Sequence, residues 1–155
     1  MRVLVECYND AALLRTLGVS PRDLFHEGCK GNVLNRLREA REEVVGLLDA
    51  DPASGNTPAE LRNYHETKNA HGLHFLVHAR EVHKQVVEVS PRLEDWLVAR
   101  ARACNLNLMP YGLPLTAREI HRIARCDRKP GFQQFLRDLL AADEGMRTLK
   151  TWLGR

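Results

Sequence analysis

The stretch Val44 to Pro52, VVGLLDADP, limits what this chain can fold into more than any other: an uninterrupted apolar run leads straight into two acids one residue apart. Val44, Val45, Leu47 and Leu48 leave no polar face for water, so the run reads as a strand buried on both sides, as in a helix-covered parallel sheet. Asp49 and Asp51 emerge where that strand ends. In extended backbone alternate side chains share a face, which points both carboxylates the same way. Two unit charges about 4 Å apart repel by roughly 4 kcal/mol at an effective dielectric near 20. A hard divalent cation relieves that repulsion, and so does ordinary solvation.

The sequence ahead of this stretch supplies two more strand and helix pairs. Arg2 to Glu6 is a short strand with Val3, Leu4 and Val5 as its apolar run, and Asn9 or Asp10 caps a helix ending near Gly18. After Pro21, Leu24 to His26 forms a second strand, followed by the turn GCKGN and a helix with Val33, Leu34 and Leu37 on one face. Strand, helix, strand, helix, strand implies right-handed crossovers and a parallel sheet. Glu6, the turn holding Lys30, Asp49 and Asp51 then fall at the carboxyl edge, where open α/β sheets place their ligands. A glycine-flanked lysine before a helix N-terminus suits a phosphate, although the same residues also make a plain tight turn. It lacks the GxxxxGK[ST] spacing of a Walker A loop.

Beyond Pro52 the alternation changes. Thr57 and Glu60 form a capping box, with Pro58 at the first position of a helix that Gly72 ends. Two strands follow, Leu73 to His78 and Val86 to Val89, joined as a hairpin, so that one descends and the other climbs back to the acidic edge. Ser90 and Pro91 open the helix PRLEDWLVARARAC, with Leu93, Trp96 and Leu97 as its buried stripe. Glu94 and Asp95 in its first turn serve the helix dipole, worth about 0.3–1 kcal/mol, as readily as a metal. Asn105 to Pro114 is loop. Thr116 with Glu119 caps a helix reaching Cys126, another helix from Pro130 carries Phe132, Phe135, Leu136, Leu139 and Leu140, and Met146, Leu149, Trp152 and Leu153 mark a last one. The expected fold is α/β: a mostly parallel central sheet of about four to five strands, one of them antiparallel, flanked by helices over residues 1–104. A C-terminal helical extension over 105–155 packs on it as part of one compact domain.

Composition narrows the functional classes. The 155 residues contain no run of 18 apolar residues, which excludes a membrane-spanning helix, and Glu6 and Asp10 interrupt what would be a signal-peptide core. Four cysteines without a CxxC pair read as reduced thiols in the cytoplasm, with Cys7 and Cys29 each placed after a strand. Charge is uneven. Through residue 99 there are 12 Lys and Arg against 15 Asp and Glu, a balance of −3, and from Arg100 onward 11 against 5, a balance of +6. A basic tail fits a phosphate-bearing partner or a solvated helical surface equally. His71, His74, His78 and His83 suggest zinc only if the first three share a helix; on a strand His74 and His78 lie about 13 Å apart, too far for one ion.

The acid ending the first strand in LVECYND, the paired acids ending the third in LLDADP, the glycine-containing turn between them and the acid in PRLEDWL together resemble a small stand-alone Toprim domain. This metal-binding α/β module is shared by DnaG-type primases, topoisomerases and OLD-family nucleases, and the resemblance covers about residues 1–100. Cys7 stands where many members have glycine after the first acid. The resemblance implies phosphodiester chemistry on DNA or RNA with magnesium or manganese: Asp49, Asp51 and Glu94 hold one or two ions, Glu6 is a further ligand or the general base, and Lys30 pairs with a phosphate oxygen. Arg122, Arg125, Arg128 and Lys129 would follow the nucleic-acid backbone. One rival is a binding or regulatory module without turnover, working with a partner protein or further copies of itself. The other is a receiver-like domain phosphorylated on Asp49.

Overall fold

Val3, Leu4 and Val5 are all buried, so the first strand has no solvent face and must lie inside a covered sheet. The structure, a computed structural model, describes residues 1–55 and 57–154. Its strands are β1 (Arg2–Val5), β2 (Leu24–His26), β3 (Val44–Asp49), β4 (Tyr64–Ala70), β5 (Leu73–His78) and β6 (Lys84–Val89). Its helices are α1 (Tyr8–Thr16), α2 (Lys30–Glu39), α3 (Leu93–Ala103), α4 (Ala117–His121), α5 (Pro130–Ala142) and α6 (Glu144–Trp152). The sheet runs β2-β1-β3-β6-β5-β4, with β2, β1, β3 and β6 parallel and β5 antiparallel to both of its neighbours. The architecture is thus α/β, with a mostly parallel sheet flanked by helices and a helical C-terminal part.

Alternate residues of β3 feed two cores. Val45 and Leu47 join Val3, Val5, Val87 and Val89 under α1, α3, α5 and α6, while Val44 and Leu48 join Leu4 and Val86 under α2. At Gly46 a Cβ would stand 3.0 Å from Leu37 Cδ1 and Val33 Cγ1, so the missing side chain lets α2 sit directly on the central strand. On the other face Phe132, Phe135, Leu136 and Leu139 of α5 are fully buried, as their spacing predicts.

Several expectations fail between residues 57 and 126. The sheet has six strands, more than the four to five expected, because residues 64–70 form β4 where a helix was predicted; only a 3₁₀ turn, Ala59–Asn63, precedes it. Apart from Tyr64, β4 is largely polar and exposed, so its sequence shows no strand alternation. Pairing with β5 decides its conformation. His71 and Gly72 supply the two successive left-handed residues, φ 55° and 76°, that a two-residue hairpin turn needs, and Trp96 Nε1 holds the turn by donating to the His71 carbonyl at 2.7 Å. The strand also separates the histidines: His74 pairs with Glu66 at 2.6 Å, while His78 accepts from the backbone N–H groups of Arg80 and Glu81. Farther on, α3 starts at Leu93, two residues after Pro91, and α4 ends at His121, short of Cys126. Among the described residues no helix is long and apolar enough to cross a membrane.

Candidate functional site

A parallel sheet ends its strands where the following helices begin, and here α1, α2 and α3 follow the carboxyl ends of β1, β2 and β6, on the edge where β3 also ends. Helix N-termini carry unsatisfied N–H groups and partial positive charge. This chain answers each with a carboxylate. Asp10 Oδ2 accepts from Cys7 N at 2.8 Å and Cys7 Sγ accepts from Asp10 N, an unusual capping box at α1. Asp49 Oδ1 accepts from Leu93 N at 2.8 Å, capping α3 from across the sheet because Arg92 supplies no side-chain cap. Glu6 Oε1 accepts from Asp49 N at 2.9 Å, and the Lys30 N–H, at the first residue of α2, also stabilises its charged form.

These contacts bring Glu6 and Asp49, 43 residues apart in sequence, to one rim. Burial drives the Glu6 carboxyl above its ordinary range, and the Asp51 charge adds to the shift. Burial pushes Asp49 up to about 6, helped by the charges of Glu6 and Glu94 and opposed by the Leu93 N–H and Lys30. Asp10 is pushed up to about 7, again by burial first and then by Asp49 and Glu6. Glu88, on β6, is raised by burial and lowered by Lys30. Lys30 is therefore the cation that Glu6, Asp49 and Glu88 all sense. It lines a cavity of about 420 Å³ with Asp51, Ser54, Thr57, Leu61, Leu76 and Glu88.

Asp51 and Glu94 depart from the sequence reading. β3 ends at Asp49, and Asp51 adopts a left-handed conformation, φ 44°, that takes it off the strand line. Its carboxylate lies 3.3 Å from the Arg92 guanidinium, so extended-strand alternation does not align the two aspartates. Glu94 is buried and faces α1: Oε1 accepts from Asn9 Nδ2 at 2.9 Å, and Oε2 lies 3.4 Å from His121 Nδ1. Asp10, Glu88, Asn9 and His121 escaped the sequence analysis as site residues. The spacing of Cys7 and Asp10 was a legible signal for Asp10, obscured because cysteine is not a usual helix cap.

Arg122, Arg125, Arg128 and Lys129 are all exposed, between the end of α4 and the start of α5. Arg125 is already engaged by a two-pronged ion pair with Asp127, at 2.9 and 2.8 Å, and by packing over the Tyr8 ring.

The oxygen-only donors of this rim match a hard cation, and burial first, then the neighbouring carboxylates, raises Glu6 and Asp49 against the lowering effect of Lys30. Among the described residues no three His, Cys, Asp or Glu side chains cage an ion. Magnesium needs no such cage, since it is held through one or two carboxylates and keeps several waters. A carboxylate offers about four lone-pair sites, so the backbone bonds of Glu6 and Asp49 leave room for a metal.

Fold and site together define an α/β domain whose sheet edge gathers partly desolvated carboxylates around one lysine. Comparison with family models, curated proteins and solved structures finds no match for the chain.

Proposed function

We propose that this chain is a small Toprim-like nuclease that hydrolyses phosphodiester bonds with magnesium or manganese. The observation that carries the reading is the Glu6 to Asp49 contact at the carboxyl edge, where two carboxylates with raised pKa stand beside Lys30. Glu6 and Asp49 would hold the ion, with Asp51 reaching it from the turn, while buried Glu94 adds negative potential behind them. When bound, the metal would polarise the phosphate and activate water. Lys30, which lines the neighbouring cavity, would neutralise a phosphate oxygen as charge develops. Glu6, raised by burial, would be a further ligand to the ion or the general base that takes a proton from the attacking water. Arg122, Arg128 and Lys129 would attract the nucleic-acid backbone, making binding salt-dependent. The four cysteines, all free, support a reducing, cytoplasmic setting.

A second reading rests on a specific observation: Glu6, Asp10 and Asp49 all bond to N–H groups at helix starts, which gives each a structural reason to be acidic. The chain would then be a binding or regulatory module without turnover. Incubation of plasmid, single-stranded DNA and RNA with magnesium or manganese separates the two. The nuclease reading expects metal-dependent cleavage of at least one substrate, lost in Asp49→Asn. No cleavage of any of them, or cleavage unaffected by Asp49→Asn, overturns it.

A further inference from the structure

Two residues beyond Glu6 the chain exposes an aromatic ring. Tyr8, the first residue of α1, is 45% exposed. The ring of His26 stacks on it with centroids 4.1 Å apart and planes 18° from parallel. The Arg125 guanidinium carbon lies over it at 3.8 Å from its centroid. Two flat groups this close to one ring must occupy its opposite faces, so the three form a ladder: His26, Tyr8, Arg125. The ladder stands on the same rim as the acids, because His26 ends β2 opposite Val5, the residue before Glu6.

This ladder is braced. Asp127, buried at 5% exposure, holds the Arg125 guanidinium by two hydrogen bonds, and its own carbonyl accepts from Gln133 on α5. Among the described residues no further ring or cation covers the outer face of His26, which is exposed. Flat surfaces held rigid in water cost little ordering when another flat group adds to them, and base stacking on such surfaces is worth roughly 1–3 kcal/mol per base in known single-strand binders. Bases inside a duplex are covered on both faces by their neighbours and cannot add to the ladder.

We propose that the His26, Tyr8 and Arg125 ladder is a docking platform for an unpaired base, so that the nucleic acid taken up at the acidic rim is single-stranded. This rests on the nuclease reading for its substrate class and narrows it from nucleic acid in general. The base is the recognised group, so DNA and RNA strands bind alike. Because Asp127 neutralises Arg125, the platform contributes without releasing counterions, in contrast to Arg122, Arg128 and Lys129.

The test is binding, read without turnover. Fluorescence anisotropy with labelled 12-nucleotide single strands of DNA and RNA, and a blunt duplex of the same sequence, is measured in EDTA over a salt series. Expected are tighter binding of both single strands than of the duplex and weakening by roughly five- to a hundred-fold in His26→Ala and Tyr8→Leu. The salt slope should stay unchanged in those variants, whereas Lys129→Ala lowers it by about 0.7. His26 and Tyr8 are exposed, and unchanged circular dichroism confirms that the variants fold. Equal affinity for duplex and single strand, or wild-type affinity in both His26→Ala and Tyr8→Leu, overturns the proposal. Single strands bound through the ladder but never cut leave the platform standing and remove the nuclease, whereas metal-dependent cutting that ignores both substitutions does the reverse.

Discussion

The two edges of this sheet handle charge in opposite ways. At the amino edge the charges are matched. Lys84, only 3% exposed at the start of β6, donates to Glu81 at 2.9 Å and to the Arg38 carbonyl at 2.8 Å, and Arg2 meets Glu42 at 2.8 Å. At the carboxyl edge Glu6, Asp49 and Glu88 share Lys30, while Glu6, Asp10 and Asp49 accept from backbone N–H groups, and burial pushes all four toward the protonated form. A buried charge that has a partner explains itself structurally, whereas burying several acids together disfavours their charged forms, a cost that a bound cation would offset. On the nuclease reading the contrast separates pairs that only hold the fold from acids that cap helix starts and would also take a cation.

Asp49→Asn makes the sharpest break between the edges. The amide oxygen can still accept from Leu93 N–H, so the cap on α3 survives while the charge goes. On the nuclease reading cleavage falls by roughly 100-fold or more, while the thermal midpoint at pH 8 rises because a partly buried charge is removed and, to a smaller extent, repulsion with Glu6 and Glu94 is relieved. Activity and stability moving together in this variant would erase the distinction.

Lys84→Ala should do the opposite. It removes a buried chain and leaves the Arg38 carbonyl without its donor, a loss of about 2–4 kcal/mol in urea denaturation, with metal-induced stabilisation unchanged per folded molecule. Loss of metal response in a folded Lys84→Ala protein would show that the two edges are coupled.

The acid and alkaline limits sharpen the comparison further. Asp49 and Asp10 have folded-state pKa values raised to about 6 and about 7, so between about pH 4 and 7 the folded state binds more protons than the unfolded chain. Stability therefore falls as pH rises through that window and levels off above it. Thermal unfolding should show a higher midpoint at pH 5 than at pH 8, with Asp49→Asn reducing the difference. On the nuclease reading magnesium should raise the midpoint more at pH 8 than at pH 5, because protons and metal would compete for the same carboxylates. The smallest effect belongs to Arg2→Ala, whose exposed pair with Glu42 is worth less than about 1 kcal/mol, and a larger shift would make the amino edge more than a matched surface.

Much of this contrast was legible in the chain itself. The apolar runs of β1 and β3 declared buried parallel strands, and the acids that end them had to reach the same edge once those strands paired side by side. What escaped is equally specific. β4 reads as polar and helix-capped because an edge strand needs no apolar alternation when its backbone partner fixes it. Asp51 leaves the strand line at a left-handed turn that its identity does not announce. The His26, Tyr8 and Arg125 ladder joins residues from β2, α1 and the segment before α5, spacings that no local pattern encodes.

Residue order alone determined the alternation of strand and helix, the buried centre of the sheet and the edge where Glu6 and Asp49 emerge, because hydrophobic period and strand direction are local properties. Only the tertiary structure decided which oxygen meets which N–H, that Asp10 and Glu88 join the rim, and that Glu94 turns toward Asn9 and His121. Those outcomes depend on burial and on partners tens of residues away. Desolvation, which sets the charge state of every acid at the rim, is a property of the packed molecule and not of any stretch of chain.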